Sequence, residues 1–137
     1  MNIQEIIRDV LRAEADALGA LSDRVDSGIV DAVNCLHTCQ GKLVVIGMGK
    51  CGHIGQKMAA TFASTGTASQ FVHPAEAIHG DIGYIDDSDV AIVLSNSGET
   101  EEIGALLPSL KARGIPIVAI TGINDASLAR QADWVLD

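Results

Sequence analysis

Aromatic side chains are almost missing from this sequence. One Trp, one Tyr and two Phe make up 3% of its 137 residues. A core must therefore be built from Ile, Val, Leu and Ala, the usual filling of a parallel sheet covered by helices on both faces. Positive charge is also scarce. Nine Lys and Arg face eighteen Asp and Glu, and the net charge is −9. Such a surface repels phosphate backbones, which argues against nucleic acid as a partner. An anionic ligand would have to be captured by a local device such as a helix N-terminus. No apolar run approaches a membrane span, and the amphipathic start, MNIQEIIRDVLRAEAD, is not a signal peptide. Cysteines do not pair up: Cys35, Cys39 and Cys51 are three thiols, read as reduced and hence as cytoplasmic. Cys35 and Cys39 share a helix face, with no second ligand pair to make a zinc site. Hydrophobic residues nevertheless reach 47%, so the chain is not disordered, and its length suits one domain.

What is present alternates. Ile3, Ile6, Ile7, Val10, Leu11, Leu18 and Leu21 recur at helical spacing, predicting a helix over residues 3–22. A second helix follows Ser27, with Gly41 as its stop. Apolar runs at 43–46, 69–73, 90–95 and 115–121 read as strands. Residues 54–65, 100–113 and 125–132 read as helices, the second despite Pro108, and 74–88 as a mixed connection. A fifth strand begins at residue 133 and is cut short by the end of the sequence, so the expectation is an incomplete domain. The fold class is α/β, a doubly wound parallel five-stranded sheet with helices on both faces.

Two segments carry chemistry. GMGKCGHIG follows the first strand, and Gly47, Gly49 and Gly52 match the dinucleotide fingerprint G-x-G-x-x-G. That fingerprint also needs an acid closing the second strand. Here that strand ends Phe71-Val72-His73-Pro74, and Glu76 lies beyond the proline. A glycine loop opening a helix equally suits a phosphate, or is simply a tight turn. Lys50 inside it suits a phosphate or a developing oxyanion, or is a solvated surface lysine. The second segment is Ser95-Asn96-Ser97-Gly98-Glu99-Thr100. One hydroxyl, with Ser97 as N-cap, would suffice to start a helix. Three hydroxyls and an amide favour an anion site. In a doubly wound sheet, loops after the first and third strands meet at the carboxyl edge, where ligands bind.

These segments resemble the SIS (sugar isomerase) family. GMGKCGHIGQKMAATFASTGT, FVHPAEAIHGDIG, SNSGETEEI and AITG are similar to its arabinose-5-phosphate isomerase branch. The resemblance implies interconversion of D-ribulose 5-phosphate and D-arabinose 5-phosphate through an enediol, feeding lipopolysaccharide or capsule sugars. It also implies a homo-oligomer, usually a tetramer, often with two CBS modules downstream. Gly49, Cys51, Gly52, Ser95, Asn96, Ser97 and Thr100 fall on the substrate-binding positions. The resemblance favours Glu102 as the catalytic acid; beside it, Lys50 is read as the charge near the developing oxyanion, and His79 as a proton shuttle or a structural histidine. Cys51 departs from the branch, which has serine there; a thiol is the weaker donor. If Ser97 caps the helix over 100–113, its phase puts Glu102 and Glu99 on one stripe and Glu101 elsewhere, and geometry alone does not separate the first two. No cofactor is called for, and no metal, although His73, His79 and Asp81 would suit an incidental divalent ion. The competing reading is a non-catalytic phosphosugar sensor.

Overall fold

The computed structural model describes residues 2–137. A central parallel sheet is formed by β1 (Leu43–Gly47), β2 (Ser69–Val72), β3 (Val90–Leu94), β4 (Ile117–Ile120) and β5 (Trp134–Leu136) in the order β2-β1-β3-β4-β5. All four pairings are parallel. Every residue of β1 and β3 is buried, which is why both are unbroken β-branched and aliphatic runs rather than alternating ones. The two edge strands are only half-buried for most of their length.

Among the described residues there are six helices: α1 (Ile3–Ser22), α2 (Ser27–His37), α3 (Gly49–Ser64), α4 (Pro74–Ile78), α5 (Glu101–Ala112) and α6 (Ser127–Gln131). A 3-10 turn spans Asp81–Tyr84. One aliphatic cluster joins Val44, Ile46 and Val93 to Ile103, Leu107 and Leu110 of α5 and Leu128 of α6. The other joins Val45, Ile92 and Val118 to Ala32 of α2 and Ala59 of α3. The sheet is thus covered on both faces, as its composition requires. Alternate residues of each strand serve opposite faces, following the two-residue period.

Two glycine readings differ from expectation. The helix expected at 54–65 begins at Gly49, so the glycine segment is the first turns of α3 and not a free loop. Gly52, Gly55 and Ala59 are the residues α3 buries. A Cβ on Gly55 would sit 3.1 Å from Phe71 Cε2 and 3.3 Å from Val45 Cγ1, so these small residues let the helix lie close on the sheet. Gly41 does not stop α2, which ends at His37 with Thr38 as cap. Gly41 instead abuts the Asp89 side chain and the Ser88 carbonyl. Pro108 lies inside α5. Pro108 and Gly104, whose carbonyl loses its donor, are both exposed, so water can serve that carbonyl and the break costs little.

The amino edge of the sheet is pinned by Asp89, which is 2% exposed. Its carboxylate accepts from Lys42 Nζ at 2.6 Å, from the Lys42 N–H at 2.8 Å and from the Asp86 N–H at 2.8 Å. Burial pushes this carboxyl up, but the hydrogen bonds and charge of Lys42 and the Asp86 amide outweigh it and hold it below the usual carboxylate range.

Candidate active site at the carboxyl edge

Register places the ends of β1 and β3 side by side, with Gly47 opposite Leu94. From these ends the chain leaves to opposite faces, into α3 and towards α5. This is the switch point at which doubly wound sheets bind ligands. Two long helices therefore start within one neighbourhood, and neither start is closed by its own side chain. Met48, the N-cap of α3, and Thr100, the N-cap of α5, make no capping hydrogen bond. By contrast, α1 and α2 are capped by Asn2 and Asp26. An uncapped N-terminus keeps free N–H groups and the positive end of its dipole for an anion.

The N-cap of α5 is Thr100, not Ser97, which corrects the expectation from sequence. Ser97 Oγ accepts from the Glu99 N–H at 3.3 Å, inside the turn that leads to the helix. Ser95 is buried at 3% exposure. Its Oγ accepts from the Gly98 N–H at 3.1 Å and lies 2.8 Å from Thr100 Oγ1. The hydroxyls thus divide. Ser95 and Thr100 brace the turn from within, while Asn96 and Ser97 are at its rim, Asn96 exposed and Ser97 reaching the Glu99 amide. Gly98 makes the turn possible with φ +65°, seated against Ala126 Cβ and Thr121 Oγ1.

On the other side of the switch point, Gly49 is exposed, with φ +58°, and Lys50 is the exposed second residue of α3. Gly52 is buried, and a Cβ there would sit 3.0 Å from the Gly47 carbonyl oxygen. Cys51 is half-buried and packs against the aliphatic cluster on the α2–α3 side.

Glu99 and Glu102, which sequence phase left together, are placed differently. Glu99 precedes α5 and its carboxylate accepts from the Ser127 N–H at 2.7 Å. Hydrogen bonding from the Ser127 side chain and then its amide, aided by the positive charge of Arg130, holds the Glu99 carboxyl below its ordinary range. Glu102 lies in the first turn of α5 and is half-buried, next to buried Ile103, whereas Glu101 is exposed. His79 is exposed at the C-cap of α4, and His73 half-buried at its N-cap. Among the described residues, no three His, Cys, Asp or Glu side chains gather as a metal site.

One residue was missed from sequence. Thr121, 4% exposed, directly follows β4. Its Oγ1 lies 3.5 Å from the Asn96 carbonyl and accepts from the Ile123 N–H at 3.4 Å. The signal available was AITG, a strand followed by a hydroxyl and a glycine, as β3 is followed by a serine.

A cavity of about 560 Å³ lies at the other end of the strands, lined by Val33, Leu36, His37, Cys39, Phe62 and Thr67 among others. The switch-point segments instead present an open ledge, with Lys50 and Asn96 exposed on its two sides. Chemically, the ledge offers backbone amides and hydroxyls for a phosphate, one ammonium group and one half-buried carboxylate.

The chain is similar to known proteins in sequence and in fold. The SIS domain family matches residues 36–137. Arabinose 5-phosphate isomerase KdsD of Salmonella typhi is 50% identical over 132 residues, 96% of this chain and 40% of its own length. Arabinose 5-phosphate isomerase KpsF of Escherichia coli is likewise 50% identical over 132 residues, with the same shares of 96% and 40%. The chain thus spans about two fifths of these curated relatives. The solved structure of Escherichia coli CFT073 c3406 in complex with arabinose 5-phosphate superimposes with a TM-score of 0.83 at 44% identity, covering 100% of this chain and 74% of that one. With the model matching most of its length and the fold agreeing strand for strand with expectation, the chain belongs to the SIS domain family.

Proposed function

We propose that this chain is the phosphosugar-binding domain of an aldose–ketose isomerase that interconverts D-ribulose 5-phosphate and D-arabinose 5-phosphate. The observation that carries the reading is the pair of uncapped helix starts, at Met48 and Thr100, set at adjacent strand ends. A phosphate dianion would replace the missing caps, receiving N–H groups from both helices and hydroxyls from Ser97 and Thr100. What supports the choice of substrate is the similarity to KdsD and KpsF and to the c3406 complex with arabinose 5-phosphate.

The chemistry moves two protons, one between carbons and one between oxygens. A base takes the proton from C1 of the ketose, leaving an enediolate; a proton is returned at C2, and a hydroxyl proton passes between O2 and O1. Glu102, half-buried at the start of α5, is the group suited to move the carbon-bound proton. Lys50 holds a positive charge where the enediolate oxygen develops. Gly49, Gly52 and Asn96 shape the ledge, Ser95 braces it, and Cys51 stands beside it with a thiol in place of a stronger hydroxyl donor. His79 takes part only if the α4 segment, or a second subunit, brings it to the sugar.

A second copy of this chain is the partner proposed for α1. No residue of α1 is buried, and Ile3 and Leu18 are 70% and 69% exposed on its apolar stripe. An amphipathic helix of 20 residues with an uncovered stripe calls for a partner.

Titration with arabinose 5-phosphate tests the site. Ser97→Ala is expected to weaken binding by about 1–3 kcal/mol, the scale for a charged acceptor short of one donor. If Ser97→Ala and Thr100→Ala both bind like the parent, the phosphate does not sit here.

A further inference from the structure

The turn from Ser95 to Thr100 does not hold its shape alone. It is tied to the segment that follows β4 at successive points. The Asn96 carbonyl accepts from the Gly122 N–H at 3.1 Å. The Gly98 carbonyl accepts from the Leu128 N–H at 3.0 Å. The Glu99 carboxylate accepts from the Ser127 N–H at 2.7 Å. In a trans peptide the C=O and the next N–H point in opposite directions. With the carbonyls of Asn96 and Gly98 turned towards β4 and α6, the N–H groups of Ser97 and Glu99 must point the other way, the Ser97 N–H outward and the Glu99 N–H onto Ser97 Oγ. The tie therefore sets the aim of the amides on which the proposed phosphate site depends.

Glu99 is the one side chain of the turn that makes such a tie to α6, and it reaches across 28 positions of sequence to do so. Its presence otherwise needs explaining, since a carboxylate next to a phosphate site repels the ligand. We infer that Glu99 is a positioning residue: its carboxylate latches the turn onto the first amide of α6 and so presents the amides and hydroxyls of residues 95–100 to the phosphate. This rests on the phosphate reading above. The competing role is electrostatic, an acid complementing the dipole of α5.

The two roles respond oppositely to two variants. Glu99→Gln keeps an oxygen acceptor for Ser127 but removes the charge. Ser127→Pro removes the N–H but keeps the charge. Ser127 is the first residue of α6, where proline is well tolerated, and Ala126 before it has φ −67° and ψ 162°, already suited to precede proline. Ser127→Ala controls for the lost hydroxyl. Affinity for inorganic phosphate and for arabinose 5-phosphate is measured on the parent and each variant, alongside urea midpoints to confirm folding.

The latch predicts that Glu99→Ala and Ser127→Pro each weaken binding by about tenfold, the scale of one charge-assisted hydrogen bond. The double variant loses no more than either single one, while Glu99→Gln and Ser127→Ala stay within about threefold of the parent. In the intact gene product the loss falls on KM, with kcat largely kept, because the latch serves ground state and transition state alike. Glu99→Gln as damaging as Glu99→Ala, with Ser127→Pro harmless, overturns the latch in favour of the dipole role. Additive losses also overturn it. A parent that binds no phosphate overturns the site and the latch together, whereas a binding parent with an indifferent Glu99→Ala overturns the latch alone.

Discussion

Gly49 and Gly98 offer a controlled comparison between backbone strain and packing. Both have left-handed φ, +58° and +65°, so alanine at either site carries the left-handed penalty of roughly 1–2 kcal/mol for an L-residue. Their surroundings differ. A Cβ on Gly49 meets nothing within 4 Å. A Cβ on Gly98 runs into Ala126 Cβ, with Thr121 Oγ1 at 3.1 Å and Leu128 Cβ at 3.7 Å. Ala126 is buried at 3% exposure and Leu128 at 0%, so neither can swing aside into solvent. Overpacking of this kind adds about 1–3 kcal/mol. Gly49→Ala should therefore destabilise by about 1–2 kcal/mol and Gly98→Ala by about 2–5 kcal/mol. The assay is urea unfolding followed by circular dichroism, with m-values checked for constancy so that the midpoints report stability. Gly98→Ala should also weaken phosphate binding, because relief of the clash moves the turn off α6. Equal losses of stability for the two variants would refute the claim that Gly98 is fixed by its seat against α6 as well as by its φ.

The amino edge and α1 can be probed separately. Asp89→Asn should cost about 2–4 kcal/mol, towards the lower part of the range for breaking a buried pair because Lys42 is partly solvated. The pH dependence has a definite sign. The folded-state carboxyl of Asp89 is held below its unfolded value of about 3.9. Its contribution is therefore complete above that value and is lost as pH falls through the folded pKa. Unfolding midpoints measured as pH falls below about 4 should drop more steeply for the parent than for Asp89→Asn; parallel slopes there would contradict this. Ile7→Glu with Leu18→Glu should reduce self-association in sedimentation while leaving the unfolding midpoint of the α/β body within about 0.5 kcal/mol, the usual range for exposed sites. A parent that is monomeric at micromolar concentration would remove the case for a second copy on α1.

Much of the fold was legible because parallel strands announce themselves. Leu43–Ile46 and Val90–Leu94 are continuous apolar runs that only a doubly covered sheet accommodates, and the helix stripes of α1 and α5 fall at the expected spacing. The start of α3 was not legible. Glycine has poor helix propensity, so Gly49 and Gly52 read as loop, whereas Gly52 packs close to Gly47 and Phe71, which makes a small residue the better choice in the first turns of the helix. The cap of α5 was misplaced within the turn for a related reason. Ser97 and Thr100 are both good caps by type, and only the internal bonds of Ser95 decide between them. Glu99 shows where sequence reasoning stops. Its phase resembles that of Glu102, but its partner is a backbone amide 28 positions away, and no local pattern encodes that contact. Cys51 tells a similar story: the thiol falls in the glycine motif, and the structure packs it against the aliphatic side.

Deuterium exchange decides whether the ledge between α3 and α5 moves a proton on a bound sugar phosphate. Arabinose 5-phosphate is incubated in deuterated water with the intact gene product, and loss of the C2 proton signal is followed by NMR. Exchange is expected from the parent and from Glu101→Gln. Lys50→Ala and Glu102→Gln should lose about 10²–10⁴-fold in exchange rate while binding the sugar phosphate nearly as before, since their work is done in the transition state. Tight binding by the parent with no exchange would contradict this chemistry and identify the domain as a phosphosugar sensor.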